Sequence, residues 1–226
     1  MEKSDILAAI RARLDAARNR PADAYVRFSA GGQTAGWITR PRAAQLTRFR
    51  RVFQVDDASV RFTTGLATAK QRSDAMADVA NELATAGELS AWRNERYAVR
   101  PHFDAAPLFF VERACARWFG VRTFAVHVNG YVPGGSERRL WFARRSATKA
   151  IDPGMFDTLV GGGIAERDSV AESLLRESWE EAGIDEALAR TAEAAGQVGI
   201  EHHAPDGLQR ETIFVYDLAI PKAFVP

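Results

Sequence analysis

The sequence predicts an α/β chain of the α+β kind, in two parts, and three observations lead there. Short runs alternating apolar and polar residues recur along the whole length, bounded by Gly, Pro or Asp. Between them lie segments with apolar residues three and four apart, two of which open on a Thr or Ser followed three residues later by Gln or Glu. Past residue 120 the strands lengthen and bracket a single strongly patterned helix. The expected organisation is an N-terminal α+β extension domain over 1–120 and a second domain over 121–226.

Taken in order, Ile6, Leu7, Ile10 and Leu14 mark one face of a helix over 4–19, with Ser4 as its cap. Alternating segments at 25–28 and 36–39, either side of Gly31-Gly32, make a short hairpin. Pro41 suits the first turn of a helix carrying Leu46 and Phe49. Strands follow at 52–55 and 60–62. Thr68 with Gln71 caps a helix that turns Met76, Val79 and Leu83 inward and ends at Gly87. A further helix is expected over 107–119, closing at Gly120, and Trp92, Arg93 and Tyr97 are expected to pack rather than bind. In the second part a long strand spans 121–132 and pairs with 140–145 through Pro133-Gly134-Gly135. Segments 197–204 and 208–220 form another pair, with Pro205-Asp206-Gly207 as turn chemistry and His202-His203 near the loop.

Composition excludes several classes. A net charge of +1 supplies no electrostatic footprint for nucleic acid or an anionic membrane. The single Cys115 leaves no intrachain disulfide and no multi-cysteine metal site, fits a reducing compartment, and in its helix-like setting reads as a packed structural thiol. No apolar run approaches a membrane span, and the N-terminus lacks a signal-peptide core while carrying Glu2, Asp5 and Asp15. A cytoplasmic location is the expectation.

Residues 162–184 read GGIAERDSVAESLLRESWEEAGI. Ser169 with Glu172 is a capping box, Gly183 suits the position just past a helix end, and Val170, Leu174 and Leu175 supply an apolar stripe. On the helix between, Glu177, Glu180 and Glu181 present three carboxylates from one patch, since residues three and four apart are neighbours. Carboxylates so placed repel unless a positive group joins them. A hard divalent cation with oxygen ligands is the natural partner, and phosphate chemistry uses such an ion. Arg176 beside Glu177 orients and partly neutralises the cluster. Glycines 161–163 just upstream permit close backbone approach to a ligand.

The whole stretch resembles the Nudix box, G-x5-E-x7-R-E-U-x-E-E-x-G-U with U aliphatic. Gly162, Arg176, Glu177, Glu180, Glu181, Gly183 and Ile184 match at its spacing. Asp168 stands where that family has Glu, which keeps the charge and shortens the reach. Ser178 stands where it has an aliphatic residue. The resemblance implies a Nudix αβα sandwich with a mixed sheet, a Mg²⁺ (or Mn²⁺) ion held by Glu177 and Glu181 with Glu180 assisting, and Asp168 in support. It also implies a diphosphate contacted by Gly162 and Gly163. Arg144, Arg145 and Lys149, just before the glycine loop, could clamp phosphate oxygens or form a solvated strand edge. His127 and Asn129 face either the site or water, and Glu211 is a further candidate ligand, whereas His202-His203 is not expected to bind metal. That fold normally continues with more sheet and a closing helix, so its C-terminal part is expected to be missing here.

The segments 127–132, 140–146 and 153–157, with Lys149, look like the Nudix subfamily related to thiamine pyrophosphokinase, and Gly36-Trp37-Ile38, 92–97 and Glu112-Arg113 look like its N-terminal extension. That resemblance implies hydrolysis of thiamine diphosphate, or its oxidised analogues, to the monophosphate and phosphate. Three alternatives stand beside it: a nucleoside-diphosphate-linked substrate of the ADP-ribose or NADH type, an isomerase of the isopentenyl diphosphate kind, and a non-catalytic ligand-binding module. The isomerases use a cysteine near the glycine loop, and Cys115 lies well upstream. The expected partner is a small-molecule diphosphate. The first domain could cover the substrate pocket or mediate a homodimer.

Overall fold

The computed structural model describes residues 3–16, 20–134, 139–148 and 153–225. The chain divides into two compact units: 1–123 with 199–211, and 124–198 with 212–226.

The first unit opens with helix α1 (Lys3–Ala16), whose Ser4 lies inside the helix rather than at its cap and whose Ile6, Leu7, Ile10 and Leu14 are all exposed. Strands β1 (Tyr25–Ala30) and β2 (Gln33–Thr39) form the expected hairpin, and Gly31 and Gly32 both take positive φ between them. Helix α2 (Arg40–Gln45) has Pro41 in its first turn, where the missing N–H is no loss. Strands β3 (Phe53–Val55) and β4 (Ser59–Phe62) complete a sheet of order β2-β1-β4-β3, with β1 and β4 parallel. Helix α3 (Ala69–Thr85) carries the complete Thr68/Gln71 capping box and buries Met76, Val79 and Leu83. The core is largely aromatic: the Phe28 ring lies 5.3 to 5.9 Å from those of Phe53, Phe62, Phe109 and Phe119. Such tilted and edge contacts contribute roughly 0.5–1.5 kcal/mol each beyond area burial.

One element departs from the sequence reading. The segment 107–119 is not a helix but strand β6 (Phe109–Glu112) followed by a 3₁₀ turn over Arg113–Cys115. Leu108, Val111, Cys115 and Phe119 are spaced as on a helix, yet β6 pairs antiparallel with β5 (Arg96–Val99), Tyr97 opposite Val111. Pairing outweighs local periodicity in so short an apolar run. The Glu112 carboxylate then accepts from Arg93 N at 3.0 Å and Ala114 N at 3.5 Å, starting the turn. Cys115 is buried there, and burial pushes its thiol up to about 12, so it is inert and structural. Tyr97 is buried, whereas Trp92 is partly exposed with its Nε1 donating to Asn94. Gly120 takes φ +55°, and an added Cβ would meet Trp37 O at 2.1 Å, so this position admits only glycine.

The second unit centres on β7 (Arg122–Val132). Its pairing with 140–145 is split: β8 (Arg139–Leu140) pairs with β7, while β9 (Ala143–Arg144) pairs with β10 (Phe156–Asp157). On the other side β11 (Val160–Gly163) runs antiparallel to β7. Helix α4 (Val170–Ala182) and the short α5 (Glu186–Ala189) lead to β12 (Glu193–Ala204) and β13 (Gly207–Ala219). His202 and His203 thus lie in a strand rather than a loop. The order β11-β7-β13-β12 forms a mixed sheet. Asn129 bonds Asp217 and Tyr131 bonds Ile220, so β7 and β13 advance in the same direction. Alternation along β7 sends Val126 and Val128 into a core with Val160, Leu174, Ile184 and Leu218, and leaves His127 and Asn129 on the opposite face. The hairpin tip, 199–211, belongs to the first unit, where Leu208 N bonds Arg117 O at 2.9 Å.

Candidate active site

Helix α4 is specified at both ends. Ser169 accepts from Glu172 N while the Glu172 side chain returns to Ser169 N, and Gly183 closes the helix in the left-handed conformation at φ 61°. The apolar stripe fixes rotation: Leu174 is buried, with Val170 and Leu175 packed against the same core. That rotation lays Glu177 onto β11.

Glu177 is only 9% exposed although it carries a carboxylate. Its side chain occupies the space above Gly162, where a Cβ would sit 2.0 Å from Glu177 Cδ. This explains the glycine: a side chain there would evict the glutamate. Burial raises the Glu177 carboxyl above its ordinary range, Arg176 opposes this, and Glu181 and Glu180 add to it. Arg176 donates from Nη1 to Glu177 Oε1 at 2.5 Å and from Nη2 to Asp168 Oδ2 at 2.9 Å, and lies 3.6 Å from Glu180 Oε2. Burial works against the Arg176 charge, but Asp168 and Glu177 together hold its pKa above the ordinary value. Asp168, one methylene shorter than glutamate, still reaches the guanidinium and also accepts from Ser173 Oγ at 3.4 Å.

Glu181 reaches the edge of β11, where its Oε2 accepts from Gly161 N at 2.9 Å. Glu180 and Glu181 are exposed. The structure therefore brings Glu177, Glu180, Glu181, Arg176, Asp168 and Gly162 into one neighbourhood, with Gly163 at the end of β11 opposite Ala125. Among the described residues, no group of three or more His, Cys, Asp or Glu is already gathered as a metal cage.

The other predicted residues fall elsewhere or have other partners. Arg144 donates to Gly154 O at 3.1 Å beside the Phe156 ring, and Arg145 pairs with Asp157 at 2.7 Å. Lys149 lies outside the described residues. Asn129 donates to Asp217 at 2.9 Å. Glu211 accepts from Thr123 at 3.1 Å and belongs to the first unit, as does His203, which bonds the Tyr25 hydroxyl.

His127 is more telling. It stands opposite Gly161, its ring about 3.1 Å from where a Cβ would lie, with Thr158 Oγ1 2.9 Å from Nδ1. The Thr158 hydroxyl has one proton and gives it to Val160 O at 2.8 Å, so Nδ1 donates to Thr158. Asp157 Oδ1 lies 3.9 Å from Nδ1. Sequence reading missed Thr158, because only strand pairing brings it to His127.

Ser178 is fully buried on α4, and its Oγ has no hydrogen-bond partner among the described residues. A buried hydroxyl left unsatisfied costs roughly 1–3 kcal/mol. Ser178→Ala is expected to stabilise the protein by about 1 kcal/mol, read as a rise in urea midpoint at unchanged m-value. A lower midpoint would mean that the hydroxyl has a partner after all.

Residues 9–123 match the family model described as a domain of unknown function (DUF4743), and residues 123–222 match the NUDIX domain. The glutamates and glycines described above lie in the second of these. The chain therefore belongs to the Nudix superfamily and carries the DUF4743 domain ahead of its Nudix domain. It is 36% identical over 204 residues to Nudix hydrolase 24, chloroplastic, of Arabidopsis thaliana, covering 89% of this chain and 56% of that protein. Nudix hydrolase 20, chloroplastic, of the same plant is 35% identical over 211 residues, with the same coverage of 89% and 56%. An uncharacterized protein of Saccharomyces cerevisiae is 29% identical over 195 residues, covering 79% of this chain and 56% of that one. The chain thus spans about half the length of the curated relatives it matches.

Proposed function

We propose that this chain is a Mg²⁺- or Mn²⁺-dependent Nudix hydrolase acting on the diphosphate linkage of a small organic diphosphate. The observation that carries this reading is the seating of Glu177 on Gly162, braced by Arg176 and Asp168. An enzyme gains nothing in stability from half-burying a carboxylate among two others; it gains a strong donor aimed at one place. The donor set fits a hard cation, being all oxygen. Glu177 also carries the repulsion of Glu180 and Glu181, which a bound cation would relieve. Glu177 and Glu181 would hold the ion, with Glu180 assisting. When bound, the ion neutralises diphosphate charge as the P–O bond breaks. Arg176 keeps Glu177 oriented by holding one of its oxygens, and Asp168 holds Arg176. The glycines of β11 let the Glu177 side chain and the His127 ring lie close against that strand. A helix carboxylate, or a residue beyond the helix, takes the proton of the attacking water.

The substrate we favour is thiamine diphosphate or one of its oxidised analogues, cleaved to the monophosphate and phosphate. This rests on the resemblance of 127–132, 140–146 and 153–157 to the thiamine-pyrophosphokinase-related subfamily. Product analysis with Mg²⁺ on thiamine diphosphate, oxidised thiamine diphosphates, ADP-ribose and NADH tests it. Release of a thiamine monophosphate is expected. Cleavage of ADP-ribose or NADH instead keeps the chemistry and removes this substrate. Cleavage of none would favour a ligand-binding module.

A further inference from the structure

A hollow of about 250 Å³ lies within the first unit, between α3 and the β5–β6 pair. Its walls are tied together, since Phe110 N on β6 donates to Ser73 Oγ on α3 at 2.8 Å. Trp92 lines it from the segment that precedes β5. This indole stays 38% exposed and takes no part in the aromatic core around Phe28. Ala91 and Asn94, on either side of it, have φ of +60° and +57°, the only non-glycine residues with positive φ among those described. That region is strained for alanine, which has a Cβ and no side-chain bond to offset the cost. Trp92 Nε1 donates to Asn94 Oδ1 at 2.8 Å and Arg93 N to Glu112 Oε1 at 3.0 Å, so the strained turn is pinned from both sides. Strain of this kind persists where the surrounding structure fixes a side chain for use.

The polar lining is specific. Glu112 is only 7% exposed yet faces the hollow. Its bonds from Arg93 N and Ala114 N both fall on Oε1, and among the described residues Oε2 accepts none. A carboxylate oxygen only accepts, so it suits a ligand N–H. The Asn94 oxygen is taken by Trp92, which leaves its amide nitrogen to donate, and Asn81 adds a second amide from α3. Arg96, opposite Glu112 across β5–β6, lies over the Phe110 ring with Cζ 5.7 Å from the centroid. With a carboxylate and a guanidinium both in the lining, neither an organic cation nor an anion is favoured.

We infer that this hollow binds a neutral, planar nitrogen heterocycle whose edge carries an amino group beside a ring nitrogen. The amino group donates to Glu112, the ring nitrogen accepts from an asparagine amide, and the flat ring stacks on Trp92. The volume of about 250 Å³ falls just under the roughly 300–1,000 Å³ typical of sites for drug-sized ligands, so the occupant is a single ring with small substituents. All the lining residues belong to the first unit, so binding here does not depend on the diphosphate chemistry proposed for the second.

Nuclear magnetic resonance titration of the full chain in EDTA tests this, with 2-aminopyrimidine, 2-(dimethylamino)pyrimidine and pyrimidine as probes. The first is expected to bind saturably and to shift the indole N–H signal of Trp92, identified as the one lost in Trp92→Phe. The other two keep the ring and its nitrogens but have no N–H to offer Glu112, and are expected to bind at least tenfold more weakly. Trp92→Ala is expected to weaken 2-aminopyrimidine binding at least tenfold, read by saturation transfer to the probe. Ala77 lines the hollow from the exposed side of α3, so Ala77→Phe fills the space without removing a hydrogen bond and is expected to weaken binding by as much. Thermal melts followed by circular dichroism establish that each variant is folded. Absence of saturable binding, an unmoved Trp92 signal, equal affinity for the dimethylated probe, or indifference to a folded Ala77→Phe would each overturn the inference.

Discussion

Glu177→Gln is expected to lower diphosphate turnover roughly 10²- to 10³-fold, the usual scale for removing one preorganised electrostatic group from a reacting centre. The amide keeps the shape of the side chain and can still accept from Arg176 through its oxygen. The fold should therefore lose little, below about 2 kcal/mol, since a charge-assisted bond becomes an ordinary one. The separation of these two readouts is the informative part. If Glu177 served only to pack α4 on β11 with Arg176 as its counter-charge, stability would fall and turnover would follow only the fraction unfolded. Steady-state kinetics alongside urea melts distinguish the cases.

Gly162→Ala should be as damaging by a different route. Its new methyl would stand 2.0 Å from Glu177 Cδ and 2.3 Å from Oε2, so the carboxylate must leave its seat. Forcing an extra carbon into such a contact costs roughly 1–3 kcal/mol, and the displaced Glu177 no longer points where Arg176 held it. Turnover is expected to fall to the level of Glu177→Gln. The two changes act on one side chain, so they should not add: Gly162→Ala with Glu177→Gln should be little slower than either alone. Gly162→Ala with Glu177→Ala should recover stability, because the clash is gone, without recovering turnover. Additive kinetic losses would mean that Gly162 acts on the substrate independently of Glu177.

Local signals announced much of this molecule, and non-local ones hid the rest. The ends of α4 and α3 are written in three- and four-residue patterns, Ser169/Glu172 and Thr68/Gln71, that need no partner elsewhere in the chain. Gly31-Gly32 and Pro205-Asp206-Gly207 likewise announce their hairpins through backbone conformations that few residues adopt. The 107–119 segment was misread because its helical spacing is accidental, and only the pairing of Tyr97 with Val111 shows it to be a strand. Arg144 and Arg145 were misplaced for the same reason, since the ribbon with Phe156 and Asp157 draws them away from β7.

The site divides along the same line. Helical spacing alone gathers Glu177, Glu180 and Glu181. That Glu177 rests on Gly162 and Glu181 bonds Gly161 N follows from how α4 docks on β11, which no residue pattern states. These contacts also make a point about the metal. Arg176 and the Gly161 N–H hold two of the carboxylates as stand-in partners, so cation binding competes with existing hydrogen bonds rather than filling a ready cage.

The central claim is that these glutamates form a divalent-cation site, and Mn²⁺ titration followed by electron paramagnetic resonance tests it most directly. Wild-type protein is expected to quench the free Mn²⁺ signal saturably, with Mg²⁺ restoring it by competition, and Glu177→Gln to weaken binding at least tenfold while remaining folded. Equal Mn²⁺ affinity in wild type and Glu177→Gln would contradict the account.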